Sequence, residues 1–341
     1  MNPFTFTQAS DVDAALAALA SGKARPIAGG TNLLDLMKSG VPPDGVMRPD
    51  HLVDINRLGL DQVEEAPGGG LKLGALARNA DTAYHELVRS RYPLLSAAIL
   101  AGASPQLRNM ASNGGNLLQR TRCYYFYDLG TPCNKREPGT GCPAKEGLNR
   151  QLAILGTSEH CIATHPSDMC VALRALDAVV HVRSQGGQRE IPFADFHRLP
   201  GDQPELDNTL QPGELITHLV LPDAARFVAH SAYIKVRERL SYAFALVSVA
   251  AALDLDGGTI RAARIALGGV AHKPWRVEEA ESALVGKKPD AAAFDAAADI
   301  LLRGARGYGE NDYKLTLARN TIVQALTTAA RGTEFAKGEQ R

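Results

Sequence analysis

At 341 residues the chain exceeds one ordinary domain and can bury a sizeable core. Its 37 basic side chains balance 37 acidic ones, which excludes a global pull toward nucleic acid or an anionic membrane. No apolar run approaches the ~20 residues of a membrane span, and the first residues lack the basic, apolar and cleavage pattern of an export signal. The default compartment is therefore the cytoplasm, unless a partner carries the folded chain outward.

In chain order, Ser10 can cap a helix through "DVDAALAALAS", which Gly22 ends. "ARPIAGGTNLLDLMKSG" reads as a short buried strand, a Gly-Gly turn and a helix stopped by Gly40. "HLVDI" and "GLKLGA" follow as strands, and "DTAYHELVRS" and "PLLSAAILAG" as helices, an alternation in the α/β manner. After a cysteine-bearing stretch come a capped helix, "PSDMCVALRALDA", and the strands "VVHVRS" and "GELITHLVLP".

Near residue 226 the pattern changes. "SAYIKV", "YAFALVSVAAALDLDGG" and "TIRAARIALGG" are strands, with Gly257-Gly258 as a hairpin turn, and helices around 274–286, 290–303 and 312–331 close the chain. Strands followed by helices indicate a separate α+β unit, and the polar segment after Gly332 reads as a frayed tail.

Two segments share one chemical feature. "AGGTN" at 28–32 and "ASNGGNL" at 111–117 place paired glycines beside small hydroxyl or amide side chains. Bare backbone N–H groups there could cradle a pyrophosphate, though plain turns use glycine as freely. Neither is a Rossmann fingerprint or a Walker loop.

The five cysteines divide into four and one. Cys170 sits in a helical pattern and reads as a small buried apolar residue. Cys123, Cys133, Cys142 and Cys161 lie in irregular sequence with Arg120, Arg122, Lys135 and Arg136 nearby. The odd total argues against a disulfide framework, and no pair has the close spacing usual for zinc. Incidental thiols, an iron–sulfur cluster and a zinc site all remain open on spacing alone. The run Tyr124 to Tyr127 reads as packing around them. His160 and His165 flank Cys161 and read as loop-ordering residues, outside the metal set.

"ARPIAGGTNLLDLMK", "QLRNMASNGGNL", "THPSDMCVALRALDA", "GELITHLVLP" and "AYIKVRERLSYAFALVSVAAAL", with the final "NDYKLTLARNTIVQAL", resemble the FAD-binding medium subunits of the xanthine dehydrogenase family of molybdenum hydroxylases. The resemblance covers nearly the whole chain. It implies an FAD-binding domain of the PCMH/VAO type over residues 1–225, built from two subdomains at 1–60 and 61–225. A three-stranded sheet with helices over 226–332 and a tail at 333–341 complete the α+β fold. Between the GGN motif and Pro166-Ser167-Asp168 lies an insertion, about 118–164, that holds the four non-helical cysteines. Its wording resembles flavin subunits with an extra 4Fe-4S cluster, closest to periplasmic aldehyde oxidoreductases and less close to hydroxybenzoyl-CoA reductases.

Carried over residue by residue, the resemblance implies that Pro26, Ile27, Ala28, Gly29, Gly30, Thr31, Asn32 and Leu33 wrap the FAD pyrophosphate. Ala103, Ser112, Gly114, Gly115 and Asn116 form the second loop. Asp168 bonds the adenosine ribose or holds that loop, Ile216 lies against the isoalloxazine, and Lys235 lies near its pyrimidine end. The alternative for Lys235 is a solvated strand lysine. Cys123, Cys133, Cys142 and Cys161 would hold the cluster. The implied partners are a large subunit with the molybdenum cofactor, a small subunit with 2Fe-2S clusters, and an external electron acceptor. No general acid, base or nucleophile is nominated, because the cofactors carry the redox chemistry. A self-sufficient flavin oxidase and a zinc-shaped binding module are the rival classes.

Overall fold

The computed structural model describes residues 3–20, 22, 24–40 and 49–333. The first sheet is small and parallel. Strands β1 (Thr5–Gln8), β2 (Ala24–Ile27) and β3 (His51–Asp54) lie in the order β1-β3-β2, with the helix Val12–Leu19 packed over them. Asp11, not Ser10, caps that helix: its carboxylate accepts the Ala14 N–H at 2.8 Å, while the Ser10 hydroxyl donates to Asp11. A carboxylate at this position also complements the helix dipole, so it outcompetes the hydroxyl one residue earlier.

The second sheet joins β4 (Val63–Glu65), β5 (Leu71–Gly74), β6 (Val179–Ser184), β7 (Gly187–Pro192) and β8 (Leu215–Leu221) in the order β4-β5-β8-β6-β7. Every pairing in it is antiparallel. The α/β alternation read from sequence is thus true of the first sheet alone. The helix expected through "DTAYHELVRS" is two, Asn79–Tyr84 and Glu86–Arg91, because His85 is extended (φ −62°, ψ 134°) and its ring caps the second.

The third sheet is the antiparallel meander β9 (Ser231–Val236), β10 (Val247–Asp256) and β11 (Thr259–Gly268). Gly257 and Gly258, at φ +56° and +77°, make the hairpin turn between the last two. Helices Glu278–Leu284, Ala291–Leu301 and Tyr313–Arg331 cover one face of this sheet and form a core with Val249, Ile265, Phe294 and Leu326. Its other face, through Ala250, Ala252 and Ala266, joins the core under the helices Pro93–Ala101 and Asp168–Ala175. Alternating alanines let those two helices approach closely.

Thr333 does not fray. It is buried, its hydroxyl donates to the Val228 carbonyl at 2.7 Å and accepts from Ser231 N–H at 2.9 Å. The rest of the expected tail, 334–341, lies outside the described residues. No described helix is long and apolar enough to cross a membrane.

Candidate functional site

The two glycine turns pack directly on one another. A Cβ on Gly29 would sit 1.8 Å from the Met110 carbonyl oxygen, so the closeness of the loops is what demands glycine there. Gly30 adopts φ +70°, a left-handed conformation that turns the chain into the helix Leu33–Ser39. Gly114 also approaches Ala75 tightly, with 3.1 Å between a built Cβ and the alanine's own.

The loops differ in what their N–H groups do. In the second, Asn113 N–H donates to Ala77, Gly114 to Ala75, Gly115 to the Ser112 hydroxyl and Asn116 to the Ser112 carbonyl. The Asn116 amide is also spent: it donates to Asn79 at 2.6 Å and accepts from Gln119 and from Ser167 at 2.5 Å. In the first, among the hydrogen bonds of the described residues, none uses the N–H of Gly29, Gly30, Thr31 or Asn32. That half-buried row of donors fits an anion such as pyrophosphate. The second loop is the wall behind it.

Asp168 and Lys235 are buried together, with 6% and 3% of their side chains exposed. Lys235 Nζ donates to Asp168 Oδ2 at 2.8 Å and to the Ala101 carbonyl at 3.0 Å; Tyr233 donates to Asp168 Oδ1 at 2.7 Å. Lys235 is therefore no solvated strand lysine. Both Asp168 oxygens are held by β9, which leaves this carboxylate a tie across to that strand. Ala103, at φ +50°, is exposed, and its carbonyl accepts the N–H of Tyr242, itself at φ +54°. Ile216 is buried in the core of the five-stranded sheet opposite Val182. Its neighbour Thr217 accepts the N–H of Ala75, whose carbonyl in turn accepts from Gly114 of the second glycine turn.

Beside Asp168 opens a cleft lined by Arg122, Leu152, His165, Ser167, Phe244 and Gly268 among others. Sequence reasoning saw in Arg122 only a charge near the cysteines, yet it ties three regions together. Its Nη1 pairs with Asp35 at 2.8 Å, its Nη2 donates to Asn32 Oδ1 at 3.3 Å, and its guanidinium stacks on Tyr127 and Phe244. Its Nε is buried without a partner.

All four loop cysteines line a second cavity. Burial pushes the Cys123 thiol up to about 12 and the Cys161 thiol up to about 11, and raises that of Cys142. No three of these sulfurs lie within 4.8 Å of one another. The sulfurs are thus not gathered into the tight set, about 3.8 Å apart, in which thiolates hold a tetrahedral zinc with bonds of about 2.3 Å. Lys135 lines it, while the buried Arg120 and Arg136 lie behind it, on the Phe126 ring and on the Tyr125 and Phe126 carbonyls; among the described residues Asp207 is ion-paired with Arg120 and Lys135. Uncharged thiols would leave that positive charge uncompensated, which a buried anionic centre would relieve.

The one group of three potential metal ligands within 4.8 Å, among the described residues, is His165, Cys170 and His197. His197 Nε2 must donate to the Leu117 carbonyl, which leaves a lone pair on Nδ1, whereas His165 Nδ1 accepts from Ser167 and so carries its proton on Nε2. Burial holds both rings neutral, His197 down to about 4. The two neutral rings lie 4.4 Å apart, and His165 Nε2 and His197 Nδ1 are both buried without a hydrogen-bond partner among the described residues. His160 is exposed beside Asp202.

Comparison with known proteins decides the family. Residues 2–224 match the FAD binding domain in molybdopterin dehydrogenase, and residues 231–329 the CO dehydrogenase flavoprotein C-terminal domain. The chain belongs to the FAD-binding medium subunits of the molybdenum hydroxylases. It is 51% identical to the aldehyde oxidoreductase FAD-binding subunit PaoB of Escherichia coli, over 96% of this chain and 99% of that one. The glyceraldehyde dehydrogenase medium chain of Sulfolobus acidocaldarius is 29% identical over 84% of this chain and 82% of its own. Among solved structures, carbon monoxide dehydrogenase from Hydrogenophaga pseudoflava superposes with a TM-score of 0.74 at 26% identity, covering 97% of this chain and 99% of that one. As a medium subunit, this oxidoreductase chain works in a complex with large and small subunits.

Proposed function

We propose that this chain is the flavin subunit of an aldehyde-oxidising molybdenum hydroxylase and that it also holds a 4Fe-4S cluster on Cys123, Cys133, Cys142 and Cys161. The aldehyde reading rests on the 51% identity to the E. coli aldehyde oxidoreductase subunit. The cluster reading is carried by one observation: four cysteines line one buried cavity that has the buried Lys135 ammonium in its wall. When bound, FAD takes up electrons in pairs and an iron–sulfur centre passes them singly.

The residues then divide their work. Gly29, Gly30, Thr31 and Asn32 offer N–H donors to the pyrophosphate, with Pro26, Ile27, Ala28 and Leu33 shaping the same turn. Ser112, Gly114, Gly115 and Asn116 hold the opposite wall, and Ala103 borders it. Asp168 fixes the Lys235 ammonium beside the cleft. Arg122 stands where the first loop, the cleft and the cysteine loop meet. Iron and FAD content of the purified complex, compared between the wild type and Cys123→Ser, test the reading: a loss of about four irons per chain in the variant supports the cluster over and above any 2Fe-2S iron of the partner, an unchanged iron content removes it, and absence of FAD from the wild type ends the flavin reading.

A further inference from the structure

The cations around the cysteine cavity are held more tightly than packing requires. Lys135 has 1% of its side chain exposed, and its three N–H bonds go to Asp207 Oδ1 at 2.5 Å, the Pro204 carbonyl at 2.6 Å and His272 Nε2 at 2.7 Å. His272 Nδ1 lies 2.9 Å from the Arg198 carbonyl, which can only accept. Its proton therefore sits on Nδ1, and Nε2 offers Lys135 a lone pair. Burial, reinforced by the Lys135 charge, pushes His272 down to about 3, so the ring adds no charge of its own.

Asp207 is shared: its other oxygen accepts from Arg120 Nε at 2.6 Å. Arg136 has no carboxylate among the described residues and instead donates to the Tyr125, Phe126 and Thr131 carbonyls of the cysteine loop. Lys135 lines the cavity itself, and its charge opposes the effect of burial on the Cys161 thiol. The frame thus holds a cation at the cavity wall, fixed in place and sharing one carboxylate, Asp207, with Arg120.

We propose that Lys135, pinned by Asp207 and His272, sets the reduction potential of the centre held by the four cysteines, favouring the state with the added electron. The inference rests on reading those cysteines as cluster ligands. An electron added in a buried site increases negative charge where solvent cannot screen it, so a fixed neighbouring ammonium stabilises the reduced form directly. Salt has little access to the pair, and the effect is insensitive to ionic strength. Lys135 acts through its charge and touches no substrate; it is a positioning and tuning residue.

Redox titration of the assembled complex, followed by the cluster's paramagnetic signal, tests this in the wild type, Lys135→Met, Asp207→Asn and the double variant. The midpoint falls in Lys135→Met, rises in Asp207→Asn, and returns toward the wild-type value in the double variant, where net charge is restored. Asp207→Asn keeps Lys135 and its two remaining partners, so it reports even where Lys135→Met loses iron. Unchanged midpoints in variants that retain the 4Fe-4S signal overturn the role of Lys135. A wild-type complex that shows 2Fe-2S signals and no 4Fe-4S signal instead overturns the cluster reading, and the inference falls with it.

Discussion

Lys235 and Asp168 form a buried ion pair 2.8 Å long between β9 and the helix Asp168–Ala175. The helix falls in the first matched region of the chain and β9 in the second, so the pair joins the two beside the cleft. Tyr233, two residues along β9, reaches the same carboxylate. Asp168→Asn leaves the ammonium without its counter-charge in a dry site. Breaking such a pair from one side costs about 3–5 kcal/mol. A urea titration is expected to show a loss in that range, together with weaker FAD retention on gel filtration. A change under 1 kcal/mol, roughly what a surface pair gives, would refute the tie.

Gly29 makes a second, sharper case. Its Cβ has nowhere to go except into the Met110 carbonyl, 1.8 Å away, so Gly29→Ala must pry apart the two turns. Overpacking of this kind costs about 1–3 kcal/mol and here displaces the row of free N–H donors. Gly59→Ala is the control, since Gly59 faces open space and carries only the strain of φ +68°, about 1 kcal/mol. FAD content is expected to collapse in the first variant and persist in the second. Equal FAD content in both would mean that the contact between the turns is irrelevant to binding.

Local signals in the sequence carried most of the fold, because they depend on neighbours in the chain: Gly40 ends a helix with φ +72°, and Gly257-Gly258 turns a hairpin as their chemistry requires. What was hidden depends on distant partners. The choice between a solvated and a buried Lys235 turns on Asp168, 67 residues away. Likewise Lys135 acquires its meaning from Asp207 and His272, and "DTAYHELVRS" splits because His85 caps its own second turn. The glycine pairs were visible, but which pair offers free donors and which is spent on packing follows only from Ala75 and Ala77 lying behind the second. Arg122 gave no signal beyond its charge, because its stacking on Phe244 joins segments 122 residues apart.

The cysteine insertion is anchored without any metal, and this bears on whether iron would be a staple. Asn149 donates to the Ala144, Gly147 and Tyr308 carbonyls, and Asn311 donates to Leu152 and Ala153. The N–H groups of Ile154 and Leu155 both reach the Val270 carbonyl at 3.0 Å. Asn134 and Arg136 tie the cysteine loop to itself from within. With so many independent bonds, each contributing about 0.5–1.5 kcal/mol, the insertion holds its shape on its own. Cys133→Ser is therefore expected to lower iron content while leaving FAD and subunit assembly intact, as read by metal analysis and analytical ultracentrifugation. Dissociation of the complex would make the cluster a structural staple after all.

Lys314 gives the stability a pH dependence whose sign follows from its surroundings. It is fully buried at the start of the helix Tyr313–Arg331 and donates to the Gln151, Leu152 and Gly269 carbonyls at 2.9, 3.1 and 2.8 Å, with no carboxylate in reach of an ion pair among the described residues. Burial pushes its ammonium down from 10.5 to about 7. Between those two values the unfolded chain binds more protons than the folded one, so this residue makes stability rise with pH across that window. The slope is at most about 1.4 kcal/mol per pH unit. Below about pH 7 both states are protonated, the charge remains buried at a cost, and the contribution is flat. Lys314→Met removes the titrating group, so the variant lacks the rise. Urea midpoints measured every half unit from pH 6 to about 10 are expected to diverge, with the wild type gaining on the variant above about pH 7. Parallel curves through that range would show that Lys314 keeps its proton, with the three carbonyls compensating for its burial.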